Sequence, residues 1–128
     1  MQYIIMIAIV LGLALSDFIT GVVKGYVTEQ LSSAKMRRGG LNKLVELLVM
    51  ATACGLEIGI RALGEFYSGD TLAEITGAVT AVAVFVYIVV MELISILENY
   101  AAIDPQSAGW VSRLLKRLKS VHDKEDKQ

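Results

Sequence analysis

The chain has 128 residues, 55% of them hydrophobic, and its 11 glycines raise the apolar share to roughly 63%, against about 45–50% for an ordinary soluble domain. A domain this small has little interior in which to hide such an excess, so a lone soluble enzyme domain is excluded, as is disorder anywhere but the C-terminal end. The net charge of −1 points to no partner, the one cysteine (Cys54) rules out an internal disulfide framework, and the one histidine (His122) leaves no histidine pair for catalysis or metal binding.

The first apolar block runs from Tyr3 to Val23 and carries no charge before Asp17. At 1.5 Å per residue it makes about 31 Å of helix, enough to cross a hydrocarbon core about 30 Å thick. It is apolar all round, whereas a surface helix of a soluble bundle needs a polar face. Only Met1-Gln2 stands ahead of it, without the basic residues of a signal peptide, so it is expected to stay as a span. The connection Lys24–Gly40 is polar, glycine-punctuated and net positive. The second block, Leu41–Ile60, is weaker because it holds Lys43, Glu46 and Glu57. After the short acidic connection Arg61–Glu74 comes the third block, Ile75–Met91, which is uncharged and can extend as helix to about Leu97. Spans are therefore expected at about 3–23, 41–60 and 74–97.

Apart from Arg61, every Lys and Arg falls in or beside the first connection, or in the tail. Basic segments stay in the cytoplasm, which puts the N-terminus outside and the C-terminus inside. Tyr3 and Trp110 are placed to anchor the outer and inner interfaces.

In the tail, Asp104-Pro105 reads as a helix N-cap followed by its first residue. Over Trp110–Val121, Val111, Leu114, Leu115, Leu118 and Val121 share one face, and Arg113, Lys116, Arg117 and Lys119 lie on the other. Such a basic amphipathic helix suits a membrane surface with anionic lipids, where each basic residue contributes about 1 kcal/mol. A partner helix is the competing reading. Nucleic acid is not expected, because four basic residues beside membrane spans match lipid better. His122–Gln128 is a charge run expected to be solvated and disordered. The fold class is an all-α membrane protein: three transmembrane helices in residues 1–103, then a C-terminal basic amphipathic helix and charged tail in 104–128.

A charge exposed to lipid at mid-bilayer costs about 2.5–3.5 kcal/mol, so Asp17, Glu46, Glu57 and Glu92 must be neutral, paired, near an interface or facing water. Glu46 and Glu57 share a face of the second span, and the spacings Lys43–Glu46 and Glu57–Arg61 allow pairing on one helix. This charged stripe either makes salt bridges between helices of one monomer or lines an aqueous lesion formed by several copies. Small residues spaced for close helix contact are Gly21 with Gly25, and the ridge Ala51-Gly55-Gly59. Asp17, Thr20, Gly21 and Lys24 share a face of the first span, and Glu92, Ser95 and Asn99 share one on the third, with Glu98 beside them. A polar knot joining these two ends is expected, with Lys24 or a basic loop residue meeting Glu92 or Glu98. No nucleophile or metal partner accompanies the carboxylates, so the knot reads as structural and no cofactor is expected.

Asp17-Phe18-Ile19-Thr20-Gly21 followed by Lys24 resembles the Asp-x-x-Thr-Gly start of the phi29/Cph1-type phage holins, the group that includes toxin-secretion holins. Ser32-Ser33, the basic stretch to Gly40 and then Lys43 resemble that family's connection. Glu92-Leu93-Ile94-Ser95-Ile96-Leu97-Glu98-Asn99 is similar to its Glu-x-x-Ser-x-x-Glu-Asn signature, and Pro105 follows at a fitting distance. The family often has a glycine just before that proline, where Ile103-Asp104 stands here. The resemblance covers about residues 10–110. It implies a holin that is not an enzyme: a homo-oligomer in the host cytoplasmic membrane that opens lesions at a set time, so that endolysin reaches the cell wall. An antiholin is an optional further partner. The alternatives are a small transporter or channel, and a non-pore membrane anchor that recruits a partner through its basic tail.

Overall fold

The computed structural model describes the backbone of residues 1–67, 70–106 and 108–125, with side chains there except those of 65–67, 70–79, 108, 118 and 121–125. The described residues form four helices: α1 (Gln2–Val27), α2 (Ser33–Tyr67), α3 (Asp70–Ile103) and α4 (Ala108–Glu125). No strand occurs among the described residues. Among the described residues, three segments are long and apolar enough to cross a membrane: Gln2–Val27, Ser33–Gly64 and Thr80–Ile103. The protein is therefore an integral membrane protein.

The helices outrun the apolar blocks. Most of the expected first connection is helix, and the turn between α1 and α2 shrinks to residues 28–32. Ser32 starts α2 by accepting the Lys35 N–H on its Oγ at 3.2 Å, as an N-cap does. Lys35, Met36, Arg37 and Arg38 are good helix formers, so the helix propagates through Gly39 and Gly40 despite a cost of about 1 kcal/mol per glycine. Those two glycines lie against the Phe18 ring, where α1 and α2 approach closely. With 35 residues, α2 is about 52 Å long, more than the hydrocarbon needs, so its first turns stand beyond the apolar layer.

The turn after α1 is tight. The N–H groups of Thr28 and Gln30 donate to the carbonyls of Lys24 and Gly25, both at 2.9 Å, and Glu29 takes the left-handed conformation with φ 56°. A Cβ on Gly25 would stand 3.0 Å from Leu31 Cδ1, so a larger residue there would make the Leu31 side chain give way by a few tenths of an ångström.

Helices α1, α2 and α3 form an up-down-up bundle, with α3 packed against both others and α4 folded onto α3. Val10, Met50, Cys54 and Ile88 make the buried centre, flanked by Ile7, Leu47 and Phe85. The outer surface is strongly apolar: Ile4, Leu15 and Ile19 on α1, and Leu44, Leu48 and Leu63 on α2, are all more than half exposed. In water such a surface would be an aggregation hazard. In lipid it is the expected exterior.

The tail differs from the sequence reading. Asp104 stands four residues ahead of the last helix, and its N–H donates to the Tyr100 carbonyl at 2.9 Å, closing α3. A turn follows at Pro105, and α4 begins at Ala108. Val111 is fully buried, and the Trp110 ring packs 6.2 Å from that of Tyr100. The start of α4's apolar face thus packs on α3 through Val111, whereas Leu114 stays 39% exposed. The charge run from His122 continues the helix to Glu125, and 126–128 lie outside the described residues.

Candidate functional site: two ionic clusters in the bundle

Antiparallel packing brings Asp17 of α1, Lys43 of α2 and Glu92 of α3 to one level. The Lys43 ammonium lies 2.7 Å from Asp17 Oδ2 and 2.6 Å from Glu92 Oε1, both on other helices. Its contact with Glu46, three residues on along α2, is longer at 3.4 Å. Glu92 is 1% exposed. One ammonium therefore clamps all three helices from inside. An ion pair this well buried is costly to break, because the survivor is left charged and unpaired.

Asn99 extends the cluster. Its Nδ2 donates to Asp17 Oδ1 at 3.0 Å and to Thr20 Oγ1 at 3.2 Å, and its Oδ1 accepts from Lys24 Nζ at 3.2 Å. Thr20 Oγ1 in turn donates to the Asp17 carbonyl at 3.0 Å. Gly21 faces this amide: a Cβ there would lie 3.6 Å from Asn99 Nδ2, in ordinary van der Waals contact. The expected knot between the first and third spans has different partners in detail: Lys24 meets Asn99, Lys43 meets Glu92, and Glu98 meets Lys119 of α4 at 2.6 Å on the exposed surface. Ser95 is half-buried one turn from Glu92, Ser32 caps α2, and Ser33 is the first residue of that helix.

The second cluster lies at the other end of α2. Glu57 is 1% exposed, and its Oε1 accepts from Tyr3 OH at 2.6 Å and from Arg61 Nη2 at 3.2 Å. Tyr3, expected as an interface anchor, instead turns into the bundle. A buried carboxylate needs donors more than the interface needs one phenol. The aromatic-belt pattern concealed this role, since position near a span's end is the same in both cases.

Both spacings on α2 thus make contacts, but only part of the stripe faces the interior: Glu57 is sealed and Lys43 largely covered, whereas Glu46 and Arg61 are 33% and 38% exposed. The small ridge behaves oppositely. Ala51, Gly55 and Gly59 are exposed on the outer face of α2, and a Cβ on either glycine would meet nothing within 4 Å. With Thr52, Leu56 and Leu63, the two glycines line an open apolar groove. On α4, Arg113, Lys116 and Arg117 are exposed, whereas Lys119 is engaged with Glu98. No group of three His, Cys, Asp or Glu arranged to hold a metal occurs among the described residues.

No curated protein and no solved structure matches this chain. The sequence profile described as the bacteriophage holin family matches residues 2–120, which takes in all three membrane-crossing helices, both ionic clusters and most of α4. With that match over nearly the whole length, the chain belongs to the bacteriophage holin family.

Proposed function

We propose that this holin is of the phi29/Cph1 type and acts in the host cytoplasmic membrane, with its N-terminus outside and α4 in the cytoplasm. There it assembles as a homo-oligomer and opens lesions at a set time, so that endolysin reaches the peptidoglycan. One observation carries the subtype. Asp17, Thr20, Lys24, Lys43, Glu92 and Asn99, most of the polar residues by which the sequence resembles that type, form a single network joining α1, α2 and α3.

In this reading residues 1–103 are the lesion-forming part, and 104–128 lie along the inner surface with Arg113, Lys116 and Arg117 toward anionic lipid. Copies first meet through the open small-residue ridge on α2, where backbones approach closely. The closed bundle covers Lys43 and Glu57 and holds Glu46 and Arg61 at its edge, paired with them. At the critical density α2 exchanges these internal contacts for water, and its charged face lines the lesion. An antiholin restrains the transition where one is present.

Timed expression tests the reading. Membrane potential should hold steady and then collapse abruptly, and cells should lyse only when an endolysin is co-expressed. A benign anchor would leave the potential intact, and a transporter would pass one small substrate but no large dye. Replacing Glu46 and Glu57 together by Leu should shift the lysis time. Unchanged timing at equal membrane abundance would count against the stripe as lesion lining.

A further inference from the structure

Beside the α1–α2 turn the bundle is not filled. A half-open cavity of about 180 Å³ runs from Gln30 and Ser32 at the turn to Asp17, Lys43 and Asn99. Gly21 and Gly25 of α1 and Gly39 of α2 border it and put no side chain into it. Glycines at such spacing commonly let two helix backbones touch. Here a Cβ on Gly21 would meet only Asn99, at 3.6 Å, and one on Gly39 only the Phe18 ring, at 3.9 Å, so a slot stays open between the helices. Phe18, Val22, Leu31 and Met36 supply its apolar walls.

The two ends of the slot differ. At its floor, Asp17, Lys43 and Asn99 are already partnered within the protein: Asp17 Oδ1 accepts from Asn99, Asp17 Oδ2 pairs with Lys43, and Asn99 Oδ1 accepts from Lys24. Such a floor requires no water, and a cavity with apolar walls and no unmet polar group stays dry or takes hydrocarbon. At the mouth, donors are in excess. The exposed Lys35 ammonium has only a 3.5 Å contact with the Gln30 carbonyl, which leaves it two further donors. Ser32 Oγ accepts the Lys35 N–H and keeps its own O–H to donate. From Lys24 to Lys43 the chain carries five bases against one acid, Glu29. The mouth also lies at headgroup depth, since α1 with 26 residues is about 39 Å long, overshoots the hydrocarbon and ends at this turn.

We propose that this slot binds one anionic phospholipid from the leaflet at the α1–α2 turn, with an acyl chain between Phe18, Val22 and Met36 and the phosphate on Lys35 and Ser32. The cavity has room for part of one chain, and the rest of the lipid stays in the bilayer. The net positive segment around the mouth selects the anionic class, because the cationic group of a zwitterionic headgroup would meet like charge there. Once seated, the chain covers the floor and keeps water on this side from the Lys43 clamp. The site requires only that α1 and α2 cross a membrane. It is independent of lesion opening and separate from the exposed bases of α4.

Photo-crosslinking tests this, with the full chain in phosphatidylcholine vesicles that hold a trace of phosphatidylglycerol carrying a diazirine on one acyl chain. Mass mapping should place the crosslinks on Phe18, Val22 and Met36, saturating at one lipid per chain. Unlabelled phosphatidylglycerol should compete, whereas added phosphatidylcholine and soluble glycerol phosphate should not. Lys35→Gln should weaken the competition by about fivefold, the effect of one base at an anionic surface. Gly39→Leu fills the slot and should abolish these crosslinks. Replacing Arg113, Lys116 and Arg117 together by Gln should leave them in place. Crosslinks confined to α4 or to the outer faces of the bundle would overturn the site. Equal competition by phosphatidylcholine would overturn its preference for an anion, and competition by glycerol phosphate alone would assign the mouth to a free phosphate and overturn the lipid. The crosslink map of the unsubstituted chain decides alone if Gly39→Leu fails to fold.

Discussion

The two ends of α2 solve the same problem differently. At the Glu57 end, one carboxylate is met by one guanidinium and one phenol, which join α1 to α2 among the described residues. At the Lys43 end, three acids from three helices converge on one ammonium, with Asn99 and Lys24 completing the net. The first ties α1 to α2. The second fastens all three helices through one ammonium, so it responds more to the loss of a single partner. Under the proposed function, a bundle that stays closed and later opens would have its cohesion placed where one residue governs it.

That contrast can be broken most sharply at Lys43. Lys43→Met should destabilise the bundle by about 3–5 kcal/mol, since it leaves buried acids without their cation. Thermal unfolding in detergent reads this, and a loss under about 1 kcal/mol would deny the clamp. Asn99→Leu removes the links to Asp17, Thr20 and Lys24 and should cost about 1–3 kcal/mol in the same assay. Tyr3→Phe leaves Arg61 on Glu57 and should cost only about 1 kcal/mol; an effect equal to that of Lys43→Met would erase the distinction between the ends. Lys119→Ala breaks a pair whose side chains are 55% and 46% exposed, and should change stability by no more than about 0.2–1 kcal/mol.

Much of this arrangement is legible in the sequence, because lipid imposes long apolar runs and each buried charge needs a partner close in sequence or on a facing helix. Hydropathy marks three spans, and helical spacing brings together Lys43 with Glu46 and Glu57 with Arg61. Helical periodicity says which face a residue occupies but not which helix lies opposite. The partnerships of Tyr3 with Glu57, Lys43 with Glu92 and Lys24 with Asn99 therefore emerge only from packing. Helix ends were hidden for a different reason. Polar, glycine-bearing residues such as Ser33–Gly40 read as a connection by composition, yet a Ser32 cap and good helix formers carry the helix through them. The end of α3 follows the same logic, since Asp104 looks like a cap but spends its N–H on the preceding turn.

Cys54 offers the most direct test of the central claim, that the inner face of α2 is covered in the closed bundle and turned to water in the lesion. This cysteine is 3% exposed and lies on α2 between the two ionic clusters. Its labelling by a membrane-impermeant thiol reagent can be followed in cells through the lysis transition, with no substitution in the protein. The account predicts protection until the membrane potential collapses, then labelling within the same interval. Cys54 that labels equally well from first expression, or that stays protected after lesions have opened, would contradict it.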